Sequence, residues 1–170
     1  FTGLRLALLA DIGASGENYG VIGAGKPLAA STGCYAIPVA SYDVTIVLSN
    51  KLPTSAYRGM GPPPHFFVLE QMVDIAARAL NLDPVELRRR NYIRPEQFPY
   101  TIPSGNEYDS GDYFATLDAL LERAGYAELR HFQREARAQG RHIGIGVANA
   151  VEPGVFDWNA YAIVGMPGVG

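Results

Sequence analysis

Bulky and small residues alternate from Leu4 to Asp11, the period of a strand that buries one face. The same period returns from Tyr42 to Asn50. There Val44, Ile46 and Leu48 fall on one face and Thr45, Val47 and Ser49 on the other, and the run stops at Lys51-Leu-Pro53. Between the two strands, Ile12–Lys26 is dense in Gly, Ser and Asn and is expected to be a long loop. A loop of that length in a compact domain is often functional. From His65 to Leu80 the period lengthens to that of a helix. Glu70, Asp74, Arg78 and Asn81 form one narrow polar stripe and almost every other position is apolar, so this helix is expected to be mostly buried. Asp74 and Arg78 are spaced to pair across one turn.

Asp83-Pro-Val-Glu86 has the form of a helix start, with Asp83 as cap, Pro84 in the first position and Glu86 where a capping box wants an acid. The helix is expected to end near Asn91. Arg88-Arg89-Arg90 in its last turn suit the dipole and point to a solvated or ion-paired end more than to an anion site. Ile93–Gly111, rich in Pro, Tyr and Gly, should run extended over the surface. Asp112–Ala124 is amphipathic, with Tyr113, Leu117, Leu120, Leu121 and Ala124 on one face, and Tyr126–Gln139 is a more polar helix stopped by Gly140. His142–Val151 alternates again and reads as a strand, which Tyr161–Val164 is placed to join as a hairpin.

The chain has 170 residues, nearly half of them hydrophobic, with a net charge of −3. That length suits one domain or pieces of two, and the composition excludes a disordered chain. The charge gives no footprint for nucleic acid and no polybasic membrane patch. No apolar run approaches the roughly 20 residues of a membrane span, and no signal peptide is visible, so a cytoplasmic setting is expected, with a periplasmic one left open. Phe1 at one end and Met166-Pro-Gly-Val-Gly170 at the other are what a segment of a longer polypeptide would show.

Four motifs invite a chemical reading. Gly20-Val-Ile-Gly-Ala-Gly-Lys26-Pro27 nearly matches a phosphate-binding loop, but Pro27 stands where that loop needs a hydroxyl for magnesium and a backbone N–H. Ala56-Tyr-Arg-Gly-Met-Gly61 places glycines around Met60 just ahead of a helix. Such a turn can face its N–H groups outward toward an anion or the polar edge of a cofactor, with the Arg58 fork as a further donor; it can equally be a tight structural turn. Glu152-Pro153-Gly154 has the form of a glutamate in a tight turn, and a lone glutamate at a strand exit is usually solvated. His65, His131 and His142 share no metal-ligand spacing, and Cys34 is most simply a small buried hydrophobe. No metal ligands and no catalytic residues are assigned.

Taken together these segments resemble a known family. Pro53-Thr-Ser-Ala-Tyr-Arg-Gly-Met-Gly61 is similar to a loop of molybdenum hydroxylase large subunits, the xanthine dehydrogenase and aldehyde oxidase family. Glu70-Gln-Met-Val-Asp74 and Leu82-Asp-Pro-Val-Glu-Leu-Arg-Arg-Arg-Asn91 resemble the helix pair that follows that loop. Pro99–Asp112 looks like the next segment in the carbon-monoxide-dehydrogenase-like bacterial branch, and Gly33–Pro38 and Arg141–Gly146 stand in the expected order. The resemblance covers almost the whole chain. It implies oxidative hydroxylation of an electron-poor carbon, in an aldehyde or an N-heterocycle, at a molybdenum–pterin cofactor. It also implies a glutamate base beyond residue 170 and electrons leaving through iron–sulfur clusters, often with a flavin (FAD), on partner domains or subunits. Carried over by position, Tyr57, Arg58, Gly59 and Gly61 would lie against the cofactor, Met60 against the substrate, and Lys26 near a substrate-binding position. Two departures stand out. The cysteine that holds copper in carbon-monoxide-oxidising members is absent, which argues against that substrate. Pro62-Pro-Pro64 replaces a more usual Gly/Arg-Pro-Glu/Gln.

The expected architecture is therefore α+β: a mixed sheet, a buried helix, two or three surface helices and the opening strands of a second domain. Residues 1–141 would end a first cofactor-binding domain and 142–170 begin the next. The chain is expected to be inactive alone and to act with the remainder of the large subunit, an iron–sulfur subunit, possibly a flavin subunit, and a small-molecule substrate. The alternatives are a subunit-interaction module without a site of its own and, last, a nucleotide-binding protein using Gly20–Lys26.

Overall fold

A computed structural model describes residues 1–16 and 18–152. It is an α+β arrangement in which two two-stranded ladders and five α-helices surround a core that lies beneath the second helix. Strand β1 (Leu4–Asp11) has the limits its alternation predicts, and it pairs in parallel with β2 (Ala40–Val47), Leu4 opposite Ala40 and Asp11 opposite Val47. The second strand thus begins two residues earlier than its pattern suggests and ends before Leu48. Parallel strands need a long crossover, and here it holds helix α1 (Asn18–Gly25) and a 3-10 turn (Lys26–Ala30). The expectation of a loop across Ile12–Lys26 is corrected on this point. Gly20 marks a place where the helix touches other backbone, at Thr54, and the glycines do not break it.

Helix α2 (Pro62–Ala79) starts with three prolines, which suit a first turn whose N–H groups would have no partner within the helix. Its Leu69, Val73 and Ala77 are buried in a cluster with Cys34, Tyr35, Ile37, Tyr92 and Leu117. The helix is not mostly buried as expected, and its polar stripe divides: Arg78 and Asn81 are exposed, while its two acids turn inward. Glu70 is buried and Asp74 half-buried, while Phe67 is 67 % exposed and Val68, Met72 and Ile75 are exposed as well. Asp74 pairs with Arg88, not with Arg78. The reason lies on the next helix, α3 (Pro84–Asn91), whose Arg88 points into the core and draws the carboxylates inward. Asp83 caps α3 by accepting from the Val85 N–H at 2.8 Å, whereas Glu86 bonds Arg90 and does not complete a capping box.

Beyond α3, the Pro/Tyr-rich stretch carries a 3-10 turn (Pro95–Gln97), a cis Phe98–Pro99 bond and a short antiparallel ladder, β3 (Tyr100–Thr101) with β4 (Glu107–Tyr108). Helices α4 (Tyr113–Ala124) and α5 (Tyr126–Ala138) follow as expected, α4 capped by Asp112 and anchored by buried Leu117. The mixed sheet expected from the sequence is instead these two separate ladders. Residues 141–152 form no strand within the described residues. They run extended, with Ile143, Ile145, Val147, Asn149 and Val151 turned partly inward, because nothing described lies alongside to complete a ladder. The hairpin expected at 161–164 lies outside the described residues.

Candidate cofactor-facing turn and its cavity

The Met60 N–H donates to the Tyr57 carbonyl at 2.8 Å and closes a turn over Tyr57–Met60. Gly59, with φ 87°, holds the third position, where a type II turn requires positive φ. Gly61, with φ 85°, precedes α2. A Cβ there would stand 2.6 Å from the Gly23 carbonyl oxygen and about as close to Pro27 and Lys26 (3.1 and 3.3 Å), so no side chain fits. The turn is in this way locked against α1. Gly20 makes a second close approach, to Thr54. The two glycine-rich motifs that the sequence presents separately are thus one contact. Gly20–Gly25 lies inside a helix, whereas a phosphate-binding loop must stand ahead of one with its amides free.

The turn is open to solvent. Tyr57 is 87 % exposed and Arg58 is exposed. Among the described residues no acceptor engages the Arg58 guanidinium, and the Gly59 and Gly61 N–H groups have no backbone acceptor. The first turn of α2 adds no donors, since Pro62, Pro63 and Pro64 carry no N–H. The charge of the helix dipole remains, and hydrogen bonding falls to the turn itself.

Behind the turn lies a cavity of ≈ 410 Å³, within the usual range for small-molecule sites, roughly 300–1,000 Å³. Its wall combines Leu6, Leu8 and Ala10 of β1, Gly20, Gly23 and Ala24 of α1, Tyr57, Met60 and Gly61 of the turn, and Pro64, His65 and Val68 of α2. The wall is mostly apolar. His65 is 7 % exposed. Its Nε2–H donates to the Ser31 carbonyl at 2.9 Å, and its Nδ1 has no partner. Burial lowers its pKa against the smaller raising effect of that carbonyl, which keeps the ring neutral.

Lys26 adjoins Gly61 but does not belong to the cavity wall. Its Nζ lies 2.8 Å from Glu152 Oε1, so neither residue presents the isolated charge that its motif suggests. Arg88–Arg90 are ion-paired, to Glu70 and Asp74, to Asp118, and to Glu86. Cys34 is buried, and burial first, with the nearby Glu70 charge, pushes its thiol pKa up, away from reactivity. His131 and His142 are exposed. Among the described residues no three His, Cys, Asp or Glu side chains gather to hold a metal ion, and no helix is long and apolar enough to cross a membrane. Sequence reasoning missed the buried Glu70–Arg88 pairing and the Lys26–Glu152 pair, both formed between residues distant along the chain.

Comparison with known proteins adds to this geometry. Residues 1–92 match the family described as molybdopterin cofactor-binding domain. The chain is 38 % identical over 121 residues to the nicotine 6-hydroxylase large subunit of Paenarthrobacter nicotinovorans, covering 71 % of this chain and 15 % of that protein. It is 40 % identical over 126 residues to the carbon monoxide dehydrogenase large chain of Hydrogenophaga pseudoflava, covering 71 % and 16 %. Among solved structures it is similar to quinoline 2-oxidoreductase from Pseudomonas putida 86, with a TM-score of 0.73 and 35 % identity, covering 81 % of this chain and 18 % of that one. The chain thus spans less than a fifth of the length of these relatives.

Proposed function

The chain belongs to the molybdopterin cofactor-binding domain family of molybdenum hydroxylase large subunits, a family of oxidoreductases, and on that premise we propose that it forms one wall of a hydroxylase site completed by other parts of a longer polypeptide. The observation that carries the reading is the Tyr57–Gly61 turn, exposed and with donors that nothing described satisfies. This donor set fits a cofactor edge rich in oxygen acceptors, since a guanidinium fork and backbone N–H groups are what such an edge needs. Arg58 and the Gly59 and Gly61 amides would hold it, and Tyr57 would lie against it. When bound, the molybdenum–pterin group supplies the redox chemistry, and the protein supplies placement and electrostatics.

Met60 lines the apolar cavity and would pack against the substrate, an aldehyde or N-heterocycle. A mostly apolar wall favours a substrate with an apolar carbon skeleton by excluding water around it. The loop lacks the cysteine that carbon-monoxide-oxidising members carry, which supports this substrate class over carbon monoxide. Residues 142–170 would open a second cofactor-binding domain. In support, the extended segment 141–152 alternates inward and outward positions without a ladder of its own. Companion iron–sulfur and flavin subunits would receive the electrons. The names of the relatives, a "large subunit" and a "large chain", support assembly with partners.

The test is to produce the full-length protein with its companion subunits and measure molybdenum by elemental analysis and oxidation of N-heterocycles and aldehydes. Molybdenum near one per large subunit is expected. A protein that assembles fully and holds none removes the proposal.

A further inference from the structure

We propose that Lys26 and Glu152 form a positioning pair that clamps the Tyr57–Gly61 turn and the extended segment 141–152 to one point of the fold. Lys26 Nζ and Glu152 Oε1 are 2.8 Å apart, with the lysine side chain 9 % exposed and the glutamate half-exposed. The root of the same lysine lies against the turn, since a Cβ on Gly61 would stand 3.3 Å from Lys26 Cβ. Gly61 leads into Pro62-Pro63-Pro64, whose rings fix the backbone, so whatever holds Gly61 sets the direction of the turn relative to α2. At the other end, Glu152 is delivered by a segment that is itself tied down. The Asn149 N–H donates to Glu70 Oε2 at 3.3 Å, the Asn149 side-chain amide bonds the Tyr92 hydroxyl, and Gln133 Nε2 donates to the Ile143 carbonyl at 2.7 Å.

The two residues are 126 positions apart, and their bond joins the 3-10 turn that follows α1, the Tyr57–Gly61 turn and the C-terminal extended segment. Reversing either charge would set like charges against each other at this contact, and their repulsion would shift the lysine and the packing under Gly61 with it. The competing roles fit less well. A substrate anchor at Lys26 or a general base at Glu152 would need its charge directed at the cavity, and neither residue belongs to the cavity wall. The inference rests on the proposed role of the turn only where molybdenum is the readout.

The experiment uses the full-length protein with its companion subunits and compares Lys26→Glu, Glu152→Lys, the Lys26→Glu/Glu152→Lys swap and the milder Glu152→Gln. Amide hydrogen exchange is followed across 56–61 and 141–152, together with molybdenum content and the separate values of KM and kcat. Each single charge reversal is expected to speed exchange at the Met60 amide, the one N–H of the turn that donates to the Tyr57 carbonyl, about tenfold, the scale of coupling between contacting charges, and to lower molybdenum content. The swap is expected to recover most of both. The idea is overturned if exchange rises only near Glu152 while 56–61 is unmoved, or if the swap is no better than the worse single variant. It is equally overturned if Lys26 changes raise KM alone, the mark of a substrate contact. Should Lys26→Glu fail to fold, Glu152→Gln, at a half-exposed position, carries the same expectation. Should the wild type hold no molybdenum, the cofactor reading fails while exchange still decides the pair.

Discussion

The seam between α2 and α3 and the turn ahead of α2 each present an arginine, and the fold treats the two in opposite ways. Arg88 is fully buried. Its Nε donates to Glu70 Oε2 at 2.9 Å, its Nη1 to Asp74 Oδ1 at 2.8 Å and to the Pro84 carbonyl at 3.1 Å, and Glu70 in turn accepts from the Tyr35 hydroxyl at 2.7 Å. Arg58 is exposed and meets no acceptor among the described residues. A guanidinium with every donor engaged is part of the scaffold, while one held on a rigid turn with its donors open is placed for something outside the chain. Burial and hydrogen-bond completeness separate the two roles where residue type cannot.

The sharpest way to test the contrast is to remove Arg88. Arg88→Met leaves the Glu70 carboxylate buried beside Asp74 with no counter-charge, and breaking a buried cluster in this way costs about 3–5 kcal/mol. Denaturant unfolding should show that loss, and adding Glu70→Gln should recover part of it. A loss below about 1 kcal/mol, the usual value of an exposed pair, would mean that water reaches the seam.

Gly61→Ala comes next. The new methyl would meet the Gly23 carbonyl oxygen at 2.6 Å on a backbone with φ 85°, so a cost of about 1–3 kcal/mol is expected for the strained conformation. Gly59→Ala shares the positive φ but meets only Pro63 Cγ at 3.3 Å and should cost less. Equal costs at the two positions would show that the turn is not seated on α1.

These residues also mark what the sequence could disclose. The limits of β1 and the starts of α3 and α4 are legible because their signals are local: alternation, the Asp83 cap before Pro84, and the amphipathic period that begins at Asp112. Helix α1 is not, since Gly20 looks like a loop residue until Thr54 is seen pressed against it, and the Gly23 carbonyl shows its role only where it crowds Gly61. The facing of α2 is hidden for the same kind of reason. Its stripe of acids looks like a solvent face, and only Arg88, on another helix, turns it inward. The position of the candidate site is legible in the glycine-flanked Arg58 ahead of a helix, whereas its cavity and its Lys26–Glu152 clamp depend on contacts between distant segments.

His65 gives a smaller effect, dependent on pH. Its folded pKa is depressed below the ordinary value of 6.5, chiefly by burial, so the unfolded chain binds the proton more readily than the folded one. That contribution to stability is fully present above pH 6.5, falls as pH drops through 6.5 toward the folded pKa, and is constant below it. His65→Gln should flatten the stability curve in that acid window. An unchanged curve would show that the ring is hydrated or that its Nδ1 finds a partner.

The smallest effect on stability is the one that says most about function. Arg58→Ala removes an exposed side chain that makes no hydrogen bond or ion pair among the described residues, so unfolding should shift by no more than about 0.5 kcal/mol. A charge-assisted hydrogen bond to a cofactor edge is worth about 1.5–3 kcal/mol, which corresponds to roughly tenfold or more in retention. Molybdenum content after extended dialysis of the full-length protein should fall accordingly. Arg58→Lys should fall between the two, since it keeps the charge but not the planar fork. If Arg58→Ala instead lowers stability as Arg88→Met does, the two arginines share one structural role and the contrast between seam and turn is lost. If it changes neither stability nor molybdenum, the turn's open donors face only water, and the cofactor must be held by other parts of the polypeptide.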